Sequence, residues 1–198
     1  GPKQFGIDEE HLPDILKRIK VLNLDFIGFH IYSGSQNLKA ESIIDAQQKS
    51  LDLANKLSDY CPTPIQKLNI GGGYGIPYFP GEKPLDIQQI GNALEKAITE
   101  FKIAQPQTEV IIELGRYLVG EAGIYVSQII DKKISRGQTY LVVDGGLHHH
   151  LAASGNFGQV IRKNYPVAIG NKMHSTHMET VNIVGPLCTP LDILGDKM

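Results

Sequence analysis

Residues 64–78 read Pro-Ile-Gln-Lys-Leu-Asn-Ile-Gly-Gly-Gly-Tyr-Gly-Ile-Pro-Tyr. The first seven form a strand-like run that ends at Gly71. Gly71, Gly72 and Gly73 then let the backbone approach a ligand closely, with N–H groups pointing outward. The spacing is not the Gly-x-Gly-x-x-Gly of dinucleotide-binding turns, because Gly71, Gly73 and Gly75 stand two apart. A plain tight turn and a phosphate loop both remain open at this point.

Working outward, each flank repeats one pattern. Residues 8–22 (DEEHLPDILKRIKVL) place Leu12, Ile15, Leu16 and Ile19 on one helical face, and residues 24–32 (LDFIGFHIY) read as a strand. From Glu41 to Leu57, the positions Ile43, Ile44, Leu51, Ala54 and Leu57 mark an amphipathic helix. On the other side, Asp86 has the character of an N-cap, with Gln89 placed to close a capping box. Ile87, Ile90, Leu94, Ala97, Ile98 and Phe101 form the buried stripe of that helix, and residues 108–114 (TEVIIEL) are a third strand. Helix and strand thus alternate three times, with roughly 40 residues between strands, the rhythm of βα units in a parallel sheet or barrel. After Arg116 the pattern changes to strand-like runs at 123–134, 139–146 and 178–186, with no convincing helix between them.

The expected architecture is α/β plus β. Residues 1–116 form part of a TIM (β/α) barrel and residues 117–198 part of a C-terminal β-domain. Three strands cannot close an eight-stranded barrel, so the chain is expected to be a fragment. The alternative is a small open α/β sheet followed by a β-domain.

Composition narrows the function classes. Hydrophobic residues are 41% and charged residues 20% of 198, ordinary for a globular chain with a real core. A net charge of −2 gives no footprint for nucleic acid or an anionic membrane. No apolar run reaches the ~18 residues of a bilayer span. The two cysteines, Cys61 and Cys188, lie far apart without ligand spacing, which predicts a reduced, cytoplasmic protein.

In parallel α/β folds, ligands sit at the carboxyl ends of the strands. Strict alternation in residues 24–32 puts Phe26, Gly28, His30 and Tyr32 on one face, and Ser33, Gly34 and Ser35 follow with hydroxyls and close N–H groups. A histidine there is also well accounted for as a satisfied core residue. The third strand ends in Glu113, a carboxylate whose desolvation would be costly without a partner. Arg116 is the structural partner on offer. The functional reading pairs Glu113 with a ring nitrogen of a cofactor, while Arg116 and the Gly115 N–H hold its phosphate. Together the three strand ends describe a pocket for a flat, phosphorylated, nitrogen-containing ring, and pyridoxal 5'-phosphate fits it.

The ordered set GFHIYSGSQ (28–36), NIGGGYG (69–75), ELGRYLVGEAG (113–123), LVVDGG (141–146) and VGPLCTPLD (184–192) resembles the fold-type III pyridoxal-phosphate decarboxylases over the whole chain. That family includes the diaminopimelate, ornithine and arginine decarboxylases. GPKQFG (1–6), SGSQN (33–37), GIPYF (75–79) and DGGLHHH (144–150) carry a closer likeness to the branch with a decarboxylase of glutamyl groups tethered to an acyl-carrier protein. The resemblance implies a TIM barrel, a β-domain, and a homodimer with active sites at the subunit interface. It also implies a cofactor lysine on the first barrel strand. No segment here matches that strand, so the chain alone is expected to be inactive.

Carried over by position, Glu113 faces the pyridinium nitrogen, and Gly71, Gly72, Gly73, Ser35, Gly115 and Arg116 bind phosphate or line its site. His30 and Tyr32 flank the ring, with Tyr32 in the stacking place that a histidine holds in the diaminopimelate enzymes. Cys188 matches the cysteine that reaches the partner's site and helps protonate the substrate carbon. Arg116, Asp144, His148 and Thr189 are the expected substrate contacts. Thr189 stands where the diaminopimelate and ornithine enzymes have an acid, and Ala152 where the diaminopimelate enzymes have an arginine. With both ends of that clamp absent, free diaminopimelate is not the expected substrate. An amino acid or a carrier-tethered aminoacyl group is. His148, His149 and His150 invite a metal reading, but neighbours on a strand point to opposite faces, so no metal is expected. Asp192 is a further candidate, with a structural role as its alternative. The competing classes are a racemase of the same fold, against which Cys188 argues, and a non-catalytic module that binds the cofactor or a partner.

Overall fold

A computed structural model describes residues 4–155 and 162–198. The chain divides into two compact units, Gly1–Ile76 with Lys83–Gly120, and Pro77–Glu82 with Glu121–Met198.

In the first unit three short strands, β1 (Gly28–His30), β2 (Lys67–Asn69) and β3 (Glu109–Ile111), form an open parallel sheet in the order β1-β2-β3. The register places Phe29 beside Leu68 and Leu68 beside Val110. These residues, with Ile31, Ile70 and Ile112 two positions on, share the face that helices cover. The helices are α1 (Leu12–Val21), α2 (Ala40–Leu57) and α3 (Ile87–Ala104). Leu16, Leu51, Ala54 and Phe101 from the helices meet Ile65, Leu68 and Ile70 in one apolar cluster. Thr108 ties the strand starts together by donating to the Ile65 carbonyl at 2.7 Å.

Parity fixes the opposite face as polar: Lys67 pairs with Glu109 at 3.7 Å, and His30 stands beside Asn69. Two details depart from the sequence reading. Phe26 joins the apolar cluster and meets Phe29 edge-on at 5.3 Å, because regular strand geometry begins only at Gly28. Asp86 accepts the Gln89 N–H at 2.9 Å, but the Gln89 side chain turns to Glu41, so only half of the capping box forms.

A one-turn helix, α4 (Gly115–Val119), follows β3. The second unit is a four-stranded sheet of β4 (Ile129–Ser135), β5 (Gln138–Val143), β6 (Val181–Val184) and β7 (Ile193–Gly195), in that order. Arg136 and Gly137, both at positive φ, make the two-residue turn that joins β4 to β5. β6 runs parallel to β5, and β7 runs antiparallel to β6. Val143, Ala153, Ile183 and Leu194 form its core. Among the described residues no helix is long and apolar enough to cross a membrane.

Candidate functional site

The carboxyl ends of β1, β2 and β3 are drawn together by backbone contact at the glycine turn. Gly71 and Gly73 both adopt positive φ, and a Cβ there would lie 2.6 Å from the Ile31 carbonyl and 2.7 Å from the Gly34 carbonyl, respectively. A Cβ on Gly72 would collide with the Glu113 carbonyl. The glycines therefore let the turn pack against the exits of both neighbouring strands. Asn37 continues the contact, donating to Gly73 O at 2.8 Å and accepting from Gly75 N at 2.9 Å. The Gly71 N–H is spent on the Asn69 side chain, whereas those of Gly72 and Gly73 meet no protein acceptor among the described residues. Gly73 packs against Gly34 and Ser35, and Gly72 against Glu113.

On the polar face, Asn69 Nδ2 donates to Glu113 Oε1 at 2.9 Å, and His30 Nε2 lies 3.4 Å from the same oxygen. The other oxygen, Oε2, has no hydrogen-bond partner among the described residues. The Glu113 backbone is fixed by its N–H, which donates to Gly71 O at 2.9 Å. The expectation of a buried Glu113 is corrected: its side chain is 51% exposed and that of His30 59%. Glu113 lies two residues past the end of β3, on the face opposite the one Val110 and Ile112 turn to the core, so this carboxylate never enters the apolar layer. Tyr32 is likewise exposed, with its backbone against Gly71.

Arg116 and Gly115 open α4 instead of lying in a loop. Arg116 Nη1 donates to Gln36 Oε1 at 3.2 Å, and Gln36 also bonds Ile76 through both its amide atoms. Gln36 thereby joins the ends of all three βα units next to Ser35. A Cβ on Gly115 would meet nothing within 4 Å, so its glycine identity is not needed by the described chain.

The remaining candidates lie in the second unit. Asp144 exchanges hydrogen bonds with Gln128: its Oδ1 accepts the Gln128 N–H at 2.8 Å, and its own N–H donates to the Gln128 carbonyl. The three histidines occupy a turn, not a strand, and the alternation argument against a shared ligand falls with that. His148 and His149 have ring centroids 3.9 Å apart. His149 Nδ1 accepts from Gly146 N, and His150 Nδ1 accepts from Ala153 N, which caps a 3₁₀ turn. Among the described residues no three His, Cys, Asp or Glu side chains converge as metal ligands. Cys188 is exposed on the turn after β6, and its neighbour Thr189 donates its N–H to Leu187 O at 2.8 Å.

Sequence reasoning gave no role to Asn69, Gln36 or Tyr125, and little weight to Asp192. Asn69 had a legible signal, an amide two residues before the glycines and in phase with His30. Tyr125 had none: its hydroxyl backs onto Gly145, and burial raises its pKa, with Asp144 and Asp192 adding to the shift.

Residues 2–120 match the family model described as "Pyridoxal-dependent decarboxylase, pyridoxal binding domain". Over 98% of its length the chain is 40% identical to L-glutamyl-[BtrI acyl-carrier protein] decarboxylase of Niallia circulans, covering 46% of that protein. It is 25% identical to diaminopimelate decarboxylase of Methanothermobacter thermautotrophicus, over 97% of this chain and 44% of that one. The fold superposes on lysine/ornithine decarboxylase of Vibrio vulnificus, solved with cadaverine, with a TM-score of 0.78 at 20% identity, covering 99% of this chain and 50% of that chain. The chain thus spans about half the length of the relatives it matches.

Proposed function

The chain belongs to the pyridoxal-dependent decarboxylase family, and from that premise we propose that the whole protein is a carboxy-lyase that uses pyridoxal 5'-phosphate. Its substrate is an amino acid or an aminoacyl group tethered to a carrier protein. The observation that carries this reading is the pairing at the strand ends of unspent donors with an unspent acceptor. The Gly72 and Gly73 N–H groups are unspent, Gly73 packs against Gly34 and Ser35, and Glu113 offers Oε2 while Oε1 is held by Asn69 and His30.

These residues fit the cofactor's two ends. Gly72, Gly73, Ser35 and Arg116 hold the phosphate, with Gly71 and Gly115 lining it. Glu113 would keep a proton on the ring nitrogen, and Tyr32 would cover a ring face. When bound, pyridoxal phosphate supplies an electron-withdrawing ring for the electron pair left by CO₂. Cys188 would be the proton donor to the substrate carbon in the partner subunit's site. Residues 1–116 form the cofactor-binding part, and 117–198 supply Cys188 with Asp144, His148 and Thr189 as substrate contacts. Thr189 and Ala152 offer no charge to a distal ammonium or carboxylate, which favours a substrate whose far end is masked. The likeness to a glutamyl-carrier decarboxylase points the same way. The protein acts as a homodimer in the cytoplasm, the latter in keeping with two free thiols, Cys61 and Cys188.

The test is CO₂ release by the full-length protein over a panel of free amino acids and carrier-linked aminoacyl groups, read beside the visible absorbance of bound cofactor. Carrier-linked substrates are expected to turn over best, and Glu113→Ala and Cys188→Ala each to cut the rate at least tenfold. An intact protein that binds no pyridoxal phosphate ends the proposal.

A further inference from the structure

Asp192 is 2% exposed, and a carboxylate that far from water must be matched by donors. Both of its oxygens are matched, each by a different turn. Oδ1 accepts the Leu147 N–H at 2.6 Å, at the head of the histidine turn after β5. Oδ2 accepts the Leu187 N–H at 2.9 Å, in the turn after β6 that carries Cys188. The Asp192 backbone closes the same turn, donating to Thr189 O at 3.1 Å and accepting from Gly185 N at 2.9 Å. Both turns make room for the carboxylate with a glycine. A Cβ on Gly146 would lie 2.5 Å from Oδ1, and one on Gly185 2.6 Å from Cγ.

We infer that Asp192 is a positioning residue whose single carboxylate sets the Cys188 turn against the His148 turn. The inference rests on the roles proposed above for those two residues. Two hydrogen bonds from two backbones to one planar group fix the turns' relative placement, which bonds to separate partners would not. Charge-assisted bonds of this kind are also among the stronger ones available. Asn cannot replace the carboxylate. Its amide oxygen satisfies one N–H, and its NH₂ must then face the other donor, which releases one of the two turns.

The full-length enzyme tests this with a double-mutant cycle. Asp192→Asn is expected to lower kcat at least tenfold with cofactor absorbance per protomer unchanged. In a Cys188→Ala background the same change should cost at least threefold less, because only the placement of His148 is then left to lose. Gly146→Ala, which crowds the carboxylate while leaving its charge, should show the same non-additivity. An equal fold-loss in both backgrounds, or no loss in either, overturns the inference. So does a protein that no longer folds with either substitution, since the carboxylate would then hold the fold and not the two turns. A wild-type enzyme without cofactor or CO₂ release overturns the functional proposal instead, so the two failures are distinguishable.

Discussion

Gly72→Ala probes the point where the glycine turn meets the residue proposed to address the cofactor ring. An added Cβ would lie 2.9 Å from the Glu113 carbonyl carbon and closer still to its oxygen, whereas ordinary contact begins at 3.4 Å. The oxygen contact governs, so the β3 exit must retreat by more than an ångström, a backbone shift of the kind that overpacking imposes at ~1–3 kcal/mol. Retreat also stretches two hydrogen bonds at 2.9 Å, Glu113 N–H to Gly71 O and Asn69 Nδ2 to Glu113 Oε1. At about 1 kcal/mol each, they bring the expected destabilisation to about 3–5 kcal/mol. Urea titration should show the midpoint falling at an unchanged slope. Cofactor affinity in the full-length protein should fall with it. Gly115→Ala is the control, since nothing lies within 4 Å of a Cβ there, and it should stay within about 0.5 kcal/mol. If Gly72→Ala matches Gly115→Ala in the urea titration, the close approach is not what these glycines serve.

Leu68→Ala should cost ~2–5 kcal/mol in the same titration, because this fully buried residue links β2 to all the packed helices and its loss leaves a cavity; a cost under about 1 kcal/mol would place the core elsewhere. Burial pushes the Cys61 thiol up to about 11. In Cys188→Ser protein its alkylation rate should keep climbing past pH 9, and an inflection at the ordinary thiol value would refute the burial. The folded chain holds this proton more tightly than the unfolded one, so the contribution to stability is complete below pH 9 and is lost as pH rises towards 11.

The helices were legible because their signal is redundant. Ile43, Leu51, Ala54 and Leu57 repeat one face over 18 residues, and α2 runs Ala40–Leu57. The strands were legible in place but not in extent. An apolar run such as residues 24–32 marks where a strand lies, yet pairing needs a partner in register, and only Gly28–His30 has one. β7 went unread because Ile193–Gly195 is three residues long and owes its existence to β6 beside it. The histidine run was misjudged for a related reason. The buried glycines before it end β5, and a turn places His148 and His149 ring to ring, which no alternation rule anticipates. Asp192 was nearly silent in sequence because its partners are backbone N–H groups, which every residue but proline carries.

The candidate site on the first unit follows from parity more than from any one motif. Side chains alternate with a period of two, so the register that seats Phe29, Leu68 and Val110 against the helices also assigns the opposite face. Asn69 must share that face with His30, and Glu113 follows Ile111 by two, so the carboxylate arrives on it as well. A slip of one residue in β3 would bury Glu113 under α3 and leave Val110 in water, at a cost that the apolar cluster opposes with several large side chains at once. The packing that makes the sheet stable is therefore the same packing that sets an acid, an amide and an imidazole side by side. The glycine turn, free of side chains there, packs its backbone directly against that of Glu113.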